Sequence, residues 1–230
     1  MEQESGLDEL LIKGASDLGI TLSGQNVSEF LIYLQELLNW NRKINLTAIT
    51  QEREVVVKHF LDSLACSKAL DRSPSASFLD VGSGAGLPGL PLKIMYPDLD
   101  LILLEPNLKK TAFLRHVIGT LHLQQAVVIS RRVEDLARDQ AYHEKFSYIV
   151  TRALEAGSLF PFALPLLKAN GRLILCRAKP VGRQVSPLGL QLKQEIAYRL
   201  PFGYGDRVLS VFVPESAGGD SSVPRGTVMA

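Results

Sequence analysis

The chain has 230 residues, 46% of them hydrophobic, and 25 Lys/Arg against 24 Asp/Glu, a formal charge of +1. This length and apolar share support one large domain, or one domain with a small appendage. A near-neutral chain is not coated in positive charge for nucleic acid, and no apolar run reaches the roughly 18–20 residues needed to span a bilayer.

The opening MEQESGLDEL is acidic where a secretory signal would be basic, so the expected location is the cytoplasm, with no membrane partner. Residues 1–70 hold six Lys/Arg and ten Asp/Glu, net −4, and the remainder is net +5. Any nucleic-acid surface is therefore a local patch. Cys66 (in SLACSKAL) and Cys176 (in LILCRA) lie in apolar stretches without a metal-like or redox-like partner at short spacing, and read as buried reduced thiols.

The first 70 residues read as helices. Leu7, Leu10, Leu11 and Leu18 recur at helical spacing, as do Phe30, Leu34, Leu37 and Leu38, and then Val56, Phe60 and Leu64. Ser23 and Thr50 stand as caps before the second and third runs. Between those runs WNRKINLTAIT (40–50) has little helical periodicity and two adjacent basic residues. From about Ser77 the texture changes to apolar strands at 77–81, 99–105, 126–130, 146–152 and 172–178. Helical runs separate them: PLKIMY, LKKTAFLRHVIGTL, VEDLARDQ and SLFPFALPLLK. That alternation predicts a doubly wound α/β domain with a mostly parallel sheet covered on both faces. The last runs, 195–200 and 207–213, are too close for a crossover and should pair antiparallel. The expected organisation is a helical N-terminal region (1–72) packed on the core, a ligand-binding domain (73–214) and a disordered Gly/Ser-rich tail (215–230).

The stretch FLDVGSGAGLPGL (78–90) lies between the first strand and the first helix of the sheet, where open α/β folds bind ligands. It is not a Walker loop, because no Gly-Lys-Ser/Thr follows. Nor is it the dinucleotide fingerprint: counted from Gly82 the sixth position is Leu87, and the third glycine, Gly86, comes fifth. Asp80 would repel a pyrophosphate but favour a ligand bearing an ammonium and a sulfonium, as S-adenosylmethionine does. Glu105 ends the second strand, where such folds use a carboxylate to accept from ribose hydroxyls. Asp80, Gly82, Gly84, Gly86 and Glu105 are therefore candidate cofactor residues.

WNRKINLTAI, KHFLDSL, DVGSGAGLPGLPL, LKKTAFLRHV and TRALE together resemble the bacterial 16S rRNA guanine-N7 methyltransferases, also called glucose-inhibited division protein B, from about Leu31 to Val213. The resemblance implies the class I methyltransferase fold with S-adenosyl-L-methionine as cofactor. Its implied substrate is 16S rRNA, free, in an assembly intermediate or in the small ribosomal subunit, and its implied state is a monomer. It makes Gly82 and Leu87 cofactor contacts, places Val133 and Glu134 beside the adenine, and puts Arg152 at the cofactor and reaction centre. Two departures stand out: Lys179 precedes Pro180 where the family usually has Lys-Gly, and Arg207 precedes Val208 where it often has His.

The chain lacks the Asn/Asp-Pro-Pro-aromatic motif of exocyclic-amine methyltransferases and the Pro-Cys nucleophile of cytosine C5 enzymes. Guanine N7 carries a proton-free lone pair in the ring plane, so attack on a sulfonium methyl needs alignment and no general base. His59 could hold the N-terminal helices against the loop or be purely structural, and His116 reads as structural. Arg42, Lys43, Asn45, Lys109, Lys110, Arg177, Lys179, Arg183 and Arg207 are the candidate RNA contacts, giving affinity through phosphate charge and leaving specificity to RNA shape and an unstacked base. On the residues alone other readings stay open: an NAD-dependent oxidoreductase, a non-catalytic ribosome-assembly factor, or a methyltransferase acting on protein or small molecules.

Overall fold

The computed structural model describes residues 6–71, 76–152, 156–181 and 189–215. Its sheet has seven strands in the order β3-β2-β1-β4-β5-β7-β6. They are β1 (Ser77–Val81), β2 (Asp100–Leu104), β3 (Ala126–Ile129), β4 (Phe146–Thr151), β5 (Leu167–Arg177), β6 (Leu190–Arg199) and β7 (Asp206–Pro214). The first five pair in parallel, because each return passes through a helix. Those crossovers are α5 (Gly89–Met95), α6 (Leu108–Thr120), α7 (Val133–Arg138) and α8 (Ala156–Leu166). β6 and β7 are joined by a short loop and β7 pairs antiparallel with both neighbours, as the spacing requires.

Alternate residues of each central strand feed opposite layers. Phe78, Leu101 and Leu103 pack on one face with α5, α6 and the N-terminal helices, whereas Leu79, Val81, Ile102 and Leu104 pack on the other with α7 and α8. The N-terminal helices thus share a core with one face of the sheet. These are α1 (Leu7–Asp17), α2 (Gly24–Asn41), α3 (Glu52–Val55) and α4 (Asp62–Ala65), with a π turn over Val56–Leu61 between the last two. Phe60, on the π turn, lies 5.2 Å from Phe30 and 5.0 Å from Tyr33, ring centroid to centroid. Aromatic pairs of this kind add about 0.5–1.5 kcal/mol beyond area burial.

Ser23 caps α2 as its position predicts: its Oγ accepts from Asn26 N, and Asn26 Oδ1 accepts from Ser23 N, both at 3.1 Å. Thr50 does not cap α3. The N-cap is Gln51, without a side-chain bond, and acidic Glu52 and Glu54 instead favour the positive end of the helix. Both late strands begin earlier than expected. β5 starts at Leu167, where a β-bulge lets Phe146 pair with Leu167 and overrides the turn signal of Asn170-Gly171. β6 starts at Leu190, and the register shift between Leu192 and Gln194 hides the strand's alternation in the sequence. Cys66 and Cys176, 110 residues apart in sequence, face each other with sulfurs 3.2 Å apart as free thiols, a pairing that short-range spacing could not reveal. The tail beyond Glu215, Arg183 and Ala153–Glu155 fall outside the described residues. Among the described residues no helix is long and apolar enough to cross a membrane.

Candidate functional site

Strand order reverses between β1 and β4, and a cavity of about 480 Å³ opens there at the carboxyl ends of the strands. This is the crevice where open α/β sheets bind ligands, and the volume is that of a small-molecule site. A larger hollow of about 650 Å³ lies near the opposite ends of the strands, bordered by Leu18, Lys68, Met95 and Leu99.

One wall is the glycine loop. Gly84 sits at φ +56°, and a Cβ there would meet only Gly82 O at 3.8 Å, so the position opens onto the cavity. Its N–H donates to Glu105 Oε2 at 2.9 Å, while Glu105 Oε1 accepts from Asn107 N at 2.9 Å. Each carboxylate oxygen has two lone pairs, so Glu105 holds two loops in place and keeps acceptor capacity for a ligand hydroxyl. Asp80 lies fully buried under the loop and accepts from Gly89 N at 2.8 Å. Burial pushes its carboxyl up to about 7. Asp80 Oδ1 and the buried Ser83 Oγ have no hydrogen-bond partner within the protein.

The N-terminal helices form the facing wall. The Tyr33 hydroxyl donates to Ala85 O in the loop, and Asn26 Nδ2 donates to Ile94 O at 2.9 Å on α5. The segment after α2 is ordered by Asn41, whose Oδ1 accepts from Leu46 N (2.8 Å) and Thr47 N (3.0 Å) and whose Nδ2 donates to Thr47 O (2.9 Å). Thr47 Oγ1 accepts from Ile49 N and lies 2.8 Å from His59 Nε2. Burial first, and then the Arg152 charge, push the His59 imidazole down to about 4, so it is neutral at neutral pH. Arg152 closes this side just past β4, with its guanidinium against the π turn and α4.

Gly82, Gly84, Leu87, Glu105, Val133, Glu134 and Arg152 all line the cavity. Asp80 and Gly86 stand behind the lining: Asp80 braces the turn into α5, and at Gly86 an added Cβ would lie 2.4 Å from Leu90 Cδ1. Of the RNA candidates, Lys110 reaches the lining, and exposed Arg42, Lys43 and Asn45 directly precede the lining residues Leu46 and Thr47. Lys109 and Lys179 are exposed, Arg177 is half-buried, and half-buried Arg207 has its Nε 3.8 Å from Asp62. His116 pairs with Glu36 at 2.5 Å and ties α6 to α2, a structural position. Thr47, Arg131 and Arg132 also line the cavity. Sequence reasoning missed the two arginines, although their place just after β3 and before Val133 was a usable signal.

Residues 26–194 match the family of the rRNA small subunit methyltransferase G. The chain belongs to that family. It is similar to the ribosomal RNA small subunit methyltransferase G of Roseiflexus castenholzii, at 40% identity over 78% of this chain and 76% of that one. It also resembles the protein of that name from Pelotomaculum thermopropionicum, at 39% identity over 88% of each. Among solved structures, TrmN from Thermus thermophilus shares the fold, with a TM-score of 0.55 and 18% identity over 67% of this chain and 48% of that chain.

As a member of the rRNA small subunit methyltransferase G family, the chain is an S-adenosylmethionine-dependent enzyme. The residues fit that cofactor. Glu105 retains acceptor capacity for ribose hydroxyls, the open backbone at Gly84 admits a close ligand, and the partnerless oxygens of Asp80 and Ser83 put polar groups behind the loop, Asp80 with a carboxyl that a cationic ligand would favour in its ionised form. A charged acceptor contributes roughly 1.5–3 kcal/mol, so Glu105→Ala is expected to weaken cofactor binding by about 10- to 150-fold in calorimetry. A change below about twofold would place the ribose elsewhere. Because Glu105 also holds Gly84 N and Asn107 N, Glu105→Gln, which keeps one oxygen, should lose less.

Proposed function

We propose that the chain transfers the methyl group of S-adenosylmethionine to N7 of a guanine in 16S rRNA, in the small subunit or an intermediate of its assembly, as a monomer in the cytoplasm. The observation that carries the N7 reading is the state of the histidine in the cavity wall: His59 is neutral, hydrogen-bonded to Thr47, and too weak a base near pH 4 to serve at neutral pH. An exocyclic amine must shed a proton on methylation, whereas N7 has none to lose. The cofactor supplies an electrophilic methyl. The chain supplies a shaped cavity at the switch point, loop amides and carboxylates on one side, and the Thr47–His59–Arg152 wall on the other. The cytoplasmic reading draws on the rRNA methyltransferase family and on the lack, among the described residues, of a helix able to cross a membrane.

The test is incubation of the purified protein and labelled cofactor with small-subunit particles from a strain lacking the gene, followed by nucleoside analysis. Label is expected in N7-methylguanosine from 16S rRNA; label in another nucleoside, or none, would overturn the proposal. Lys43, exposed beside the Leu46–Thr47 wall, and Lys110, in the cavity lining, bind RNA phosphates in this reading. Neutralising either should flatten the log–log salt dependence of RNA binding by about 0.7–0.9 for each phosphate no longer neutralised and leave cofactor affinity in place. An unchanged slope for both would move the RNA face elsewhere.

A further inference from the structure

Arg152 is held by more of the protein than its place in the cavity wall requires. Its Nη1 donates to Ser63 Oγ at 3.0 Å and to His59 O at 3.4 Å, and its Nη2 donates to Lys58 O at 3.0 Å and lies 2.8 Å from Asp62 Oδ2. Three hydrogen bonds and one ion pair therefore engage the two terminal nitrogens of the guanidinium. Two of the acceptors are carbonyls of the π turn, whose extra residue takes main-chain groups out of the ordinary i→i+4 ladder. The fork therefore grips the protein through both terminal nitrogens.

The other end of the network lies 46 residues downstream of Arg152 in sequence. Asp62 is 5% exposed, and its second oxygen, Oδ1, accepts from the Tyr198 hydroxyl at 2.7 Å, with Arg207 Nε at 3.8 Å. A buried carboxylate bonded on both oxygens has one orientation available. We propose that Asp62 and Tyr198 are positioning residues for methyl transfer, acting through Arg152. The inference rests on the cavity being the methyl-transfer site. Methyl transfer to a guanine ring nitrogen moves one positive charge from sulfur to the base, so an unpaired guanidinium in the wall would oppose every stage of the reaction. Asp62 neutralises it, and Tyr198 keeps the carboxylate aimed. The same bonds join the π turn and α4, the end of β4 and the β6–β7 hairpin, so the wall facing the cofactor loop keeps one geometry.

Tyr198→Phe removes the hydroxyl and keeps the ring. In single-turnover reactions at saturating cofactor and RNA, its rate should fall about tenfold, the scale of one hydrogen bond to a charged group. Cofactor affinity and stoichiometry in calorimetry should stay within about twofold, a far smaller effect than that hydrogen bond's. In the free protein, slowly exchanging Nη proton signals that are missing from Arg152→Lys should be lost in Tyr198→Phe as well, a readout independent of turnover. The double variant Tyr198→Phe/Arg152→Lys should be no slower than Arg152→Lys alone. Asp62→Asn, which keeps the shape and an acceptor but loses the charge, should be slower than Tyr198→Phe, and it carries the test if Tyr198→Phe misfolds. Wild-type rate and Nη signals in Tyr198→Phe, or fully multiplicative effects in the double variant, would overturn the inference while the site reading stands. A fully active Arg152→Lys would overturn the role of Arg152 and the inference together.

Discussion

Gly84→Val is expected to abolish cofactor binding while the sheet still folds. The residue sits at φ +56°, in the left-handed region where a β-branched side chain is strained, so the substitution bends the loop away from its present path. An added Cβ meets only Gly82 O at 3.8 Å, and Gly84 lines the cavity, so the side chain intrudes on the ligand's side of the loop. The bend also pulls on the Gly84 N–H that Glu105 holds, so the ribose acceptor moves with the loop. Gly89→Ala is the contrasting change. There a Cβ would lie 2.7 Å from Leu103 Cδ2 and 2.8 Å from Asp80 Oδ2, so the damage falls on the packing of α5 against the sheet. Thermal melts should show both variants destabilised but folded, Gly84→Val through its left-handed φ and Gly89→Ala through packing, and calorimetry should show the loss of cofactor binding concentrated in Gly84→Val. Near-normal cofactor affinity in folded Gly84→Val would remove the loop from the cofactor site.

That contrast marks what a single sequence can and cannot reveal. The glycine loop between the first strand and the first helix was legible as a ligand site from its position and spacing, and the alternation of apolar strands and helices indicated the sheet and its antiparallel end. The division of labour among the glycines was not visible, because it depends on Leu90, Leu103 and Asp80 arriving from elsewhere in the fold. Asp80 shows the same limit: a strand-end acid reads as a ligand contact, yet its Oδ2 is spent on Gly89 N. Arg152 could be placed at the site from its resemblance to the family. Its partners Lys58, Ser63 and Asp62 lie about 90 residues earlier and meet it only through a π turn, which no apolar periodicity announces. Tyr198 was hidden twice over, by distance and by the bulge that breaks the alternation of β6.

Arg152→Lys is expected to lose most activity, about 100-fold, the scale of a misplacement of about 1 Å at a reacting centre. Lysine keeps the charge, but its single nitrogen cannot reach Ser63 Oγ, the π-turn carbonyls and Asp62 at once, so the wall loosens without any change in net charge. The chemical step itself should show no limb from a side-chain base between about pH 6 and 8.5. His59 is the histidine in the wall, and with its imidazole near 4 it is neutral throughout that window. The same depression has a consequence for folding: the unfolded imidazole takes a proton near 6.5 and the folded one near 4, so stability contributed at neutral pH is lost as pH falls through that interval. Asp80, near 7 in the free protein, does titrate within the window. It lies beneath the loop, so its ionisation acts on cofactor affinity, and single-turnover rates at saturating cofactor exclude it. His59→Gln and His116→Gln should then lower the rate only through binding or stability, leaving the profile flat. A base-dependent limb that disappears in one of them, with the methyl recovered on an atom other than N7, would mean that the substrate nitrogen sheds a proton, and both the target atom and the alignment-only mechanism would be wrong.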